Sequence, residues 1–178
     1  MRNLILILMF ITIGLFFIQG TPDRLSDIKT SECTPENVYI AIKQLGIKHP
    51  DVVFAQFLLE SNNLSSKLVT SNNNLMGMRL AKKRETTAIE SKSGYASYAS
   101  WYSCVADYLF YQINITKNKN LTKNQYINLI GRLYSQTSDY KSRIVRVLKE
   151  NKSFIKTQDS LFLTNGYQSI DVNNLTFQ

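Results

Sequence analysis

Residues 49–61 read HPDVVFAQFLLES, an apolar run with helical spacing that ends in a single carboxylate. Pro50 fits the first turn of a helix, because that position needs no backbone N–H hydrogen bond. Val53, Phe57 and Glu60 follow at i, i+4 and i+7, positions that share one face of a helix. The stretch therefore predicts a helix that carries Glu60 near its end, on an apolar stripe, with a polar loop after it.

Four other helices are predicted from a capping residue followed by apolar residues at helical spacing. Their predicted starts are Pro35 after Thr34, about Trp101, after Thr122 and after Ser138. Residues 61–80 are rich in Asn, Ser and Gly and predict a loop. Residues 85–98 predict a hairpin in which 86–89 and 95–98 flank a turn. The expected fold class is α+β, mainly helical, with a small β-lobe.

The two ends of the chain differ in composition from its middle. Residues 4–18 form an apolar run of 15 residues, shorter than the ~20 that usually span a membrane. A basic start and a short apolar run are typical of an export signal. We therefore expect a signal peptide or N-terminal membrane anchor at 1–20, a linker at 21–34, one domain at 35–156 and a polar tail, extended or disordered, at 157–178. The domain is expected to work outside the cytoplasm, as a periplasmic, extracellular or membrane-anchored protein.

The composition restricts the partners and cofactors. A net charge of +8 favours anionic partners such as cell-wall polymer or anionic lipid. No arginine-rich run or nucleic-acid-binding motif occurs, so no nucleic-acid partner is predicted. Two cysteines and one histidine are too few for a protein metal site, and no cofactor is expected. Whether Cys33 and Cys104 pair as a disulfide is left open by the sequence.

Glu60 has the setting that a glycosidase requires of its proton donor. A carboxyl group among apolar side chains keeps its proton near neutral pH, because burial disfavours the charged form. Such a group can donate the proton to a leaving glycosidic oxygen. The alternative is a surface glutamate that ends the apolar stripe in solvent or pairs with a lysine.

Three segments together resemble a known family. They are residues 49–61 (HPDVVFAQFLLES), 73–79 (NNLMGMR) and 94–112 (GYASYASWYSCVADYLFYQ). These segments resemble exported glucosaminidase-domain proteins, the peptidoglycan hydrolases of glycoside hydrolase family 73, which have a lysozyme-like α+β fold. A later segment, YSQTSDY at 134–140, matches two tyrosines of the same family. The resemblance covers residues 35–152 and implies glycan strands of peptidoglycan as the partner.

The resemblance implies a role for each matched residue. Glu60 falls on the general acid, Tyr140 on a tyrosine that borders the catalytic site, and Tyr134 on one near the substrate. The loop at 73–79 would form the floor of the cleft. There Gly77 would let the backbone approach a sugar closely, and the amides of Asn73 and Asn74 would bind hydroxyl or acetamido groups.

The chain departs from the family pattern at two places. The family places a second carboxylate on the β-lobe, after a threonine, and neither Glu85 nor Glu90 aligns cleanly with it. Glu90 is the preferred second catalytic group because of its place near the hairpin tip. Residues 137 and 138 are Thr and Ser, where the family usually has Asp-Pro between its tyrosines.

Three functions are therefore compatible with the sequence. The first is an endo-β-N-acetylglucosaminidase that hydrolyses peptidoglycan strands. The second is a lytic transglycosylase, which also uses one glutamate followed by serine at a helix end and needs no second carboxylate. The third is a non-catalytic module that binds or assembles cell wall after loss of turnover.

Overall fold

The computed structural model describes residues 28–135 and 137–170. Its helices are α1 (Pro35–Gln44), α2 (Pro50–Ser61), α3 (Lys67–Asn72), α4 (Trp101–Thr116), α5 (Lys123–Leu133), α6 (Tyr140–Glu150) and α7 (Lys152–Thr164). Its strands are β1 (Glu90–Lys92) and β2 (Tyr95–Ser97). The structure confirms the predicted α+β class, mainly helical with a small β-lobe.

Helix α2 lies at the centre of the fold, between α1 and α6. Every residue from 52 to 58 is buried, although the sequence predicted only one apolar stripe. Several helices cover α2, so its polar position Gln56 is enclosed together with Val53 and Phe57. A helix that is apolar on most sides belongs in the core, which is where α2 is found.

Local capping chemistry explains where most of the predicted helices begin. The Thr34 hydroxyl accepts a hydrogen bond from the backbone N–H of Asn37 at 3.2 Å, as predicted for the start of α1. Thr122 and Gln125 form a reciprocal capping box at the start of α5. The prediction that Ser138 caps α6 was wrong. The N-cap is Asp139, whose side chain makes no capping hydrogen bond.

The β-lobe is a two-residue hairpin with its first strand later than predicted. Lys92 and Tyr95 face each other across Ser93 and Gly94, whose φ angles of 54° and 81° suit a type I′ turn. The sequence placed the first strand at 86–89. That segment instead binds α4, where the Thr87 hydroxyl donates to the carbonyl of Ser103 at 2.6 Å.

A buried ion pair fastens the lobe to α4. Asp107 is fully buried and accepts two hydrogen bonds from the Arg84 guanidinium, at 2.7 and 3.0 Å. The Tyr98 hydroxyl donates to the same carboxylate at 2.8 Å. Because Arg84 precedes the hairpin and Tyr98 follows it, one carboxylate fixes both ends of the lobe.

The region predicted as one loop at 61–80 contains the short helix α3. Its N-cap is Ser66, whose hydroxyl accepts from the backbone N–H of Val69 at 3.4 Å. A helix of six residues presents too few apolar positions to produce a periodic signal, so the pattern did not predict it.

Helix α7 corrects the prediction of an extended or disordered tail from residue 157. Residues 157–164 are helical, and Phe162 is buried in the core. The apolar pattern fades there because buried Gln158 stands between Phe154 and Phe162 on the inner face. An ion pair between Asp159 and Lys43 joins α7 to α1.

The predicted linker packs on the domain from residue 28 onward. Ile28 is buried, and the carbonyl of Ser31 accepts a hydrogen bond from the Trp101 indole N–H at 2.9 Å. The predicted signal or anchor at 1–20 lies outside the described residues, as do 21–27 and the last eight positions. Within the described ranges, no helix is long and apolar enough to cross a membrane. Cys33 and Cys104 are both free thiols.

Candidate active site

Glu60 occupies the last turn of α2. The helix ends at Ser61, and the three residues that follow, 62 to 64, have positive φ angles of 49°, 51° and 68°. A left-handed backbone cannot continue a right-handed helix, so the chain turns away directly beyond Glu60. The carboxyl group is half-buried at this turn.

The two oxygens of Glu60 face different parts of the fold. The Tyr140 hydroxyl, at the start of α6, donates a hydrogen bond to Glu60 Oε1 at 2.7 Å. Oε2 lies against Gly77, where an ideally built Cβ atom would be only 3.2 Å away. Among the described residues, Oε2 accepts no hydrogen bond, whereas Oε1 is occupied by Tyr140.

Burial raises the pKa of Glu60 above its ordinary value. The hydrogen bond from Tyr140 and the positive charge of Arg143 act in the opposite direction and are weaker. The carboxyl group therefore keeps its proton to a higher pH than an exposed glutamate would. This direction agrees with the proton-donor role predicted from the sequence.

Tyr134 and Tyr140 lie side by side next to Glu60. Their rings stack with centroids 6.0 Å apart and an angle of 14° between the planes. Burial raises the pKa of both hydroxyls far above the ordinary tyrosine value, so both act as neutral donors. The Tyr134 hydroxyl donates to the carbonyl of Met76, which holds the loop 73–79 beside the carboxyl group.

The amides of loop 73–79 bind protein backbone. Asn74 is buried, and its Nδ2 donates to the carbonyls of Met78 and Ala96, both at 2.8 Å. Its Oδ1 accepts from the backbone N–H of Met78 at 3.1 Å. Asn74 was predicted to bind substrate, but it has no amide hydrogen left for a sugar, and we assign it to holding the loop.

Asn73 and Gly77 have more exposed positions in the same loop. Asn73 is exposed, and its Nδ2 donates to the carbonyl of Tyr98 at 3.0 Å. Gly77 has a φ of 65°, a conformation that side chains rarely adopt. Because Gly77 has no side chain, its backbone can lie close to Glu60. The contact of Asn73 and Gly77 with a sugar stays a prediction.

No carboxylate in the described part of the chain acts on the charge of Glu60. Glu85 and Glu90 are both exposed, and neither is among the groups that shift the Glu60 pKa. Strand β2 separates β1 from the loop, because Ala96 donates from its backbone to the carbonyl of Met78 at 2.9 Å. Glu90 thus lies two strand spacings, ~10 Å, from the loop backbone. Its catalytic role stays a prediction.

Two residues beside Glu60 were missed by sequence reasoning. Gln56 is fully buried, and its Nε2 donates to the Tyr140 hydroxyl at 3.2 Å. The sequence did contain a signal for Gln56: it is the single amide in the apolar run at 52–59, and it lies four residues before Glu60, on the same helix face. The second residue is Arg143, which is half-buried and acts on the charge of Glu60. Its spacing of three residues from Tyr140 places it on the same face of α6.

Two pockets elsewhere on the domain do not include Glu60. One, of about 710 Å³, lies between the end of α4, α5 and the start of α6, and Lys119, Arg132 and Lys141 are among its lining residues. The other, of about 650 Å³, lies beside His49, Gln112 and Tyr126. In residues 28–135 and 137–170, no group of three or more His, Cys, Asp or Glu side chains is placed to hold a metal ion.

Comparison with known proteins adds three findings. A comparison with curated proteins gives no significant match. A solved structure, the catalytic domain of the autolysin Auto from Listeria monocytogenes, is similar with a TM-score of 0.46 and 18% identity. The similarity covers 80% of this chain and 97% of that one. A family model described as glucosaminidase, or mannosyl-glycoprotein endo-beta-N-acetylglucosaminidase, matches residues 36–153.

The matched residues contain α1 except for Pro35, α2, the β-lobe, and both Tyr134 and Tyr140. They span most of the described domain, including Glu60 and the loop 73–79. The match agrees with the resemblance found in the sequence. The chain therefore belongs to the glucosaminidase family and is a glycoside hydrolase.

Proposed function

We propose that this chain is a peptidoglycan hydrolase, an endo-β-N-acetylglucosaminidase that cleaves glycan strands with Glu60 as its general acid. One observation carries the assignment of Glu60. Its carboxyl group has a pKa raised by burial, with Oε1 held by the Tyr140 hydroxyl and Oε2 facing Gly77 without a hydrogen-bond partner in the described part of the chain. A protonated carboxyl with one free oxygen is what protonation of a leaving group requires.

The chemistry follows from this arrangement. Protonated Glu60 transfers its proton to the glycosidic oxygen as the bond from that oxygen to the anomeric carbon breaks. Positive charge then develops on the sugar ring, and the carboxylate that remains is stabilised by Tyr140 and Arg143. Water then adds to the anomeric carbon and loses a proton. That proton makes up for the one that Glu60 donated, so the carboxyl group returns to its protonated form. Glu90 is our preferred group for activating the water or stabilising the charge.

A lytic transglycosylase is the second candidate. It is favoured because, among the residues that the structure describes, no carboxylate acts on the charge of Glu60. In that reaction Glu60 would first donate its proton and then, as a carboxylate, remove one from a sugar hydroxyl, which attacks the anomeric carbon in place of water. The exposed positions of Glu85 and Glu90 are compatible with such single-residue catalysis.

The proposed setting is outside the cytoplasm. The apolar run at 4–18, preceded by a basic residue, is the feature that supports export or anchoring. The net charge of +8 suits a chain that works on an anionic cell-wall polymer.

Mass spectrometry of muropeptides after incubation with the full chain tests the function. An endo-glucosaminidase leaves fragments with reducing N-acetylglucosamine ends, whereas a transglycosylase leaves 1,6-anhydro-muramyl ends. Reducing N-acetylmuramic acid ends would contradict the proposed specificity. Binding to cell wall without any cleavage would instead support the non-catalytic module.

A further inference from the structure

A chain of buried polar side chains crosses the core behind Glu60. Gln56 donates from Nε2 to the Tyr140 hydroxyl at 3.2 Å and accepts at Oε1 from the Tyr108 hydroxyl. The Tyr108 and Tyr126 hydroxyls share a hydrogen bond of 2.8 Å. Gln56, Tyr108 and Tyr126 have no exposed surface, so none of these polar groups has bulk water as an alternative partner.

The Glu60 end sets the direction of these hydrogen bonds. A carboxylate oxygen only accepts, so the Tyr140 hydrogen points to Glu60 Oε1, and the Tyr140 oxygen is left to accept from Gln56 Nε2. Gln56 Oε1 then faces Tyr108, which donates its single hydrogen to it. Tyr126 is therefore the donor in its hydrogen bond with Tyr108.

We propose that Gln56 is a positioning residue, which acts through Tyr140 to keep the transferable proton of Glu60 on Oε2. Oε1 already receives a hydrogen from Tyr140, so a second hydrogen on that oxygen would be crowded against the first. The proton therefore resides on Oε2, which faces Gly77 and the loop 73–79. This inference rests on the proposed role of Glu60 as general acid and adds which of its oxygens delivers the proton.

The groups that face Glu60 decide what loss of Gln56 would do. They are Tyr140 and Arg143 on α6, Tyr134 beyond the end of α5, and Gly77 in the loop. Without Gln56, the Tyr140 hydroxyl is free to rotate away from Oε1. The carboxylate then loses its hydrogen-bond donor, and the proton is no longer restricted to Oε2. Both changes reduce proton transfer without altering the surface that contacts a sugar.

The test is Gln56→Met in the full chain, a change that keeps length and volume and removes the amide. We expect kcat on purified peptidoglycan to fall about tenfold with KM unchanged. The alkaline limb of the pH profile should move to higher pH, and NMR of ¹³C-labelled glutamate should give a higher pKa for Glu60. Tyr108→Phe leaves the Gln56 amide free to flip, so it should also raise the alkaline limb and the pKa of Glu60. This variant replaces Gln56→Met in the test if Gln56→Met does not fold.

Tyr39→Phe is the matched control. It also removes a buried tyrosine hydroxyl with one hydrogen bond, to Asp159 at 3.0 Å, but lies outside the chain of residues behind Glu60. It should lower the melting temperature and leave the pH profile unchanged. In a Tyr140→Phe background, Gln56→Met should have no further effect on kcat, because its action passes through that hydroxyl.

Either of two results would overturn the inference: normal kcat and pH profile in folded Gln56→Met, or additive effects in the double variant. Failure of the underlying function is distinguishable, because Glu60→Gln would then retain turnover. An inactive Glu60→Gln combined with a normal Gln56→Met would reject the positioning role alone.

Discussion

The Gly77 backbone lies so close to Glu60 that an added Cβ atom would be 3.2 Å from Oε2. The approach needs both the absence of a side chain and the φ of 65° at this position. It brings the loop 73–79 to the one carboxyl oxygen that Tyr140 does not occupy. The contact places the proposed proton donor at the surface of that loop.

Gly77→Ala should impair both stability and turnover. A left-handed alanine costs about 1–2 kcal/mol, and its methyl group would crowd Oε2. Gly166→Ala is the matched control, since its φ is 68° and its added Cβ meets nothing within 4 Å. We expect similar losses of melting temperature in the two variants, and a fall in glycan cleavage of about tenfold for Gly77→Ala alone. Equal activity in both would separate Gly77 from the chemistry.

Glu60→Gln should abolish cleavage and leave the fold intact. The amide keeps the shape of the side chain but has no acidic proton, so we expect a loss of about 10²-fold or more in kcat. A raised pKa means that charged Glu60 is less favourable in the folded chain than in the unfolded chain. Removing that charge should not reduce the melting temperature at neutral pH. Near-normal turnover in a folded variant would remove Glu60 from the mechanism.

Tyr140→Phe should lower turnover because Glu60 loses its donor. The buried hydroxyl also accepts a hydrogen bond from Gln56, and loss of such a bond typically costs ~1 kcal/mol of stability. We therefore expect a lower melting temperature together with slower glycan cleavage. A lower melting temperature with unchanged cleavage would leave Tyr140 as a core residue only.

Arg143→Gln should move the alkaline limb of the pH profile to higher pH. Glu60 must be protonated to act as an acid, so activity falls as pH rises through its pKa. The Arg143 charge lowers that pKa, and its removal should raise it. Arg146→Gln, on the exposed face of the same helix, should leave the limb unchanged. A limb that stays in place for both variants would contradict the assignment of Arg143.

Glu90→Gln should reduce turnover more than Glu85→Gln. The basis is the position of Glu90 near the hairpin tip, since both side chains are exposed. If Glu85→Gln is the inactive variant, Glu85 rather than Glu90 is the second catalytic group. Full activity in both, with 1,6-anhydro products, would favour the transglycosylase.

Local sequence signals predicted helix starts well and the lobe less well. Thr34 with Pro35, and Thr122 with Gln125, act within a few residues, so the chain itself contains the whole interaction. The first strand of the hairpin was misplaced because residues 86–89 bind α4, a partner distant in sequence. Helix α7 was not predicted, and its residues from 157 onward were assigned to the tail, because buried Gln158 interrupts the apolar pattern.

The sequence by itself determined that a helix carries Glu60 to the start of a polar loop, and that the loop contains Gly77. Those features depend on spacing and on local backbone preferences. Only the tertiary structure decided what surrounds the carboxyl group. Tyr140 lies 80 residues further along the chain and donates to Oε1, while Asn74 turned out to hold the loop. The pKa and proton position of a carboxyl group depend on burial and on neighbours brought together by folding, and no local pattern contains them.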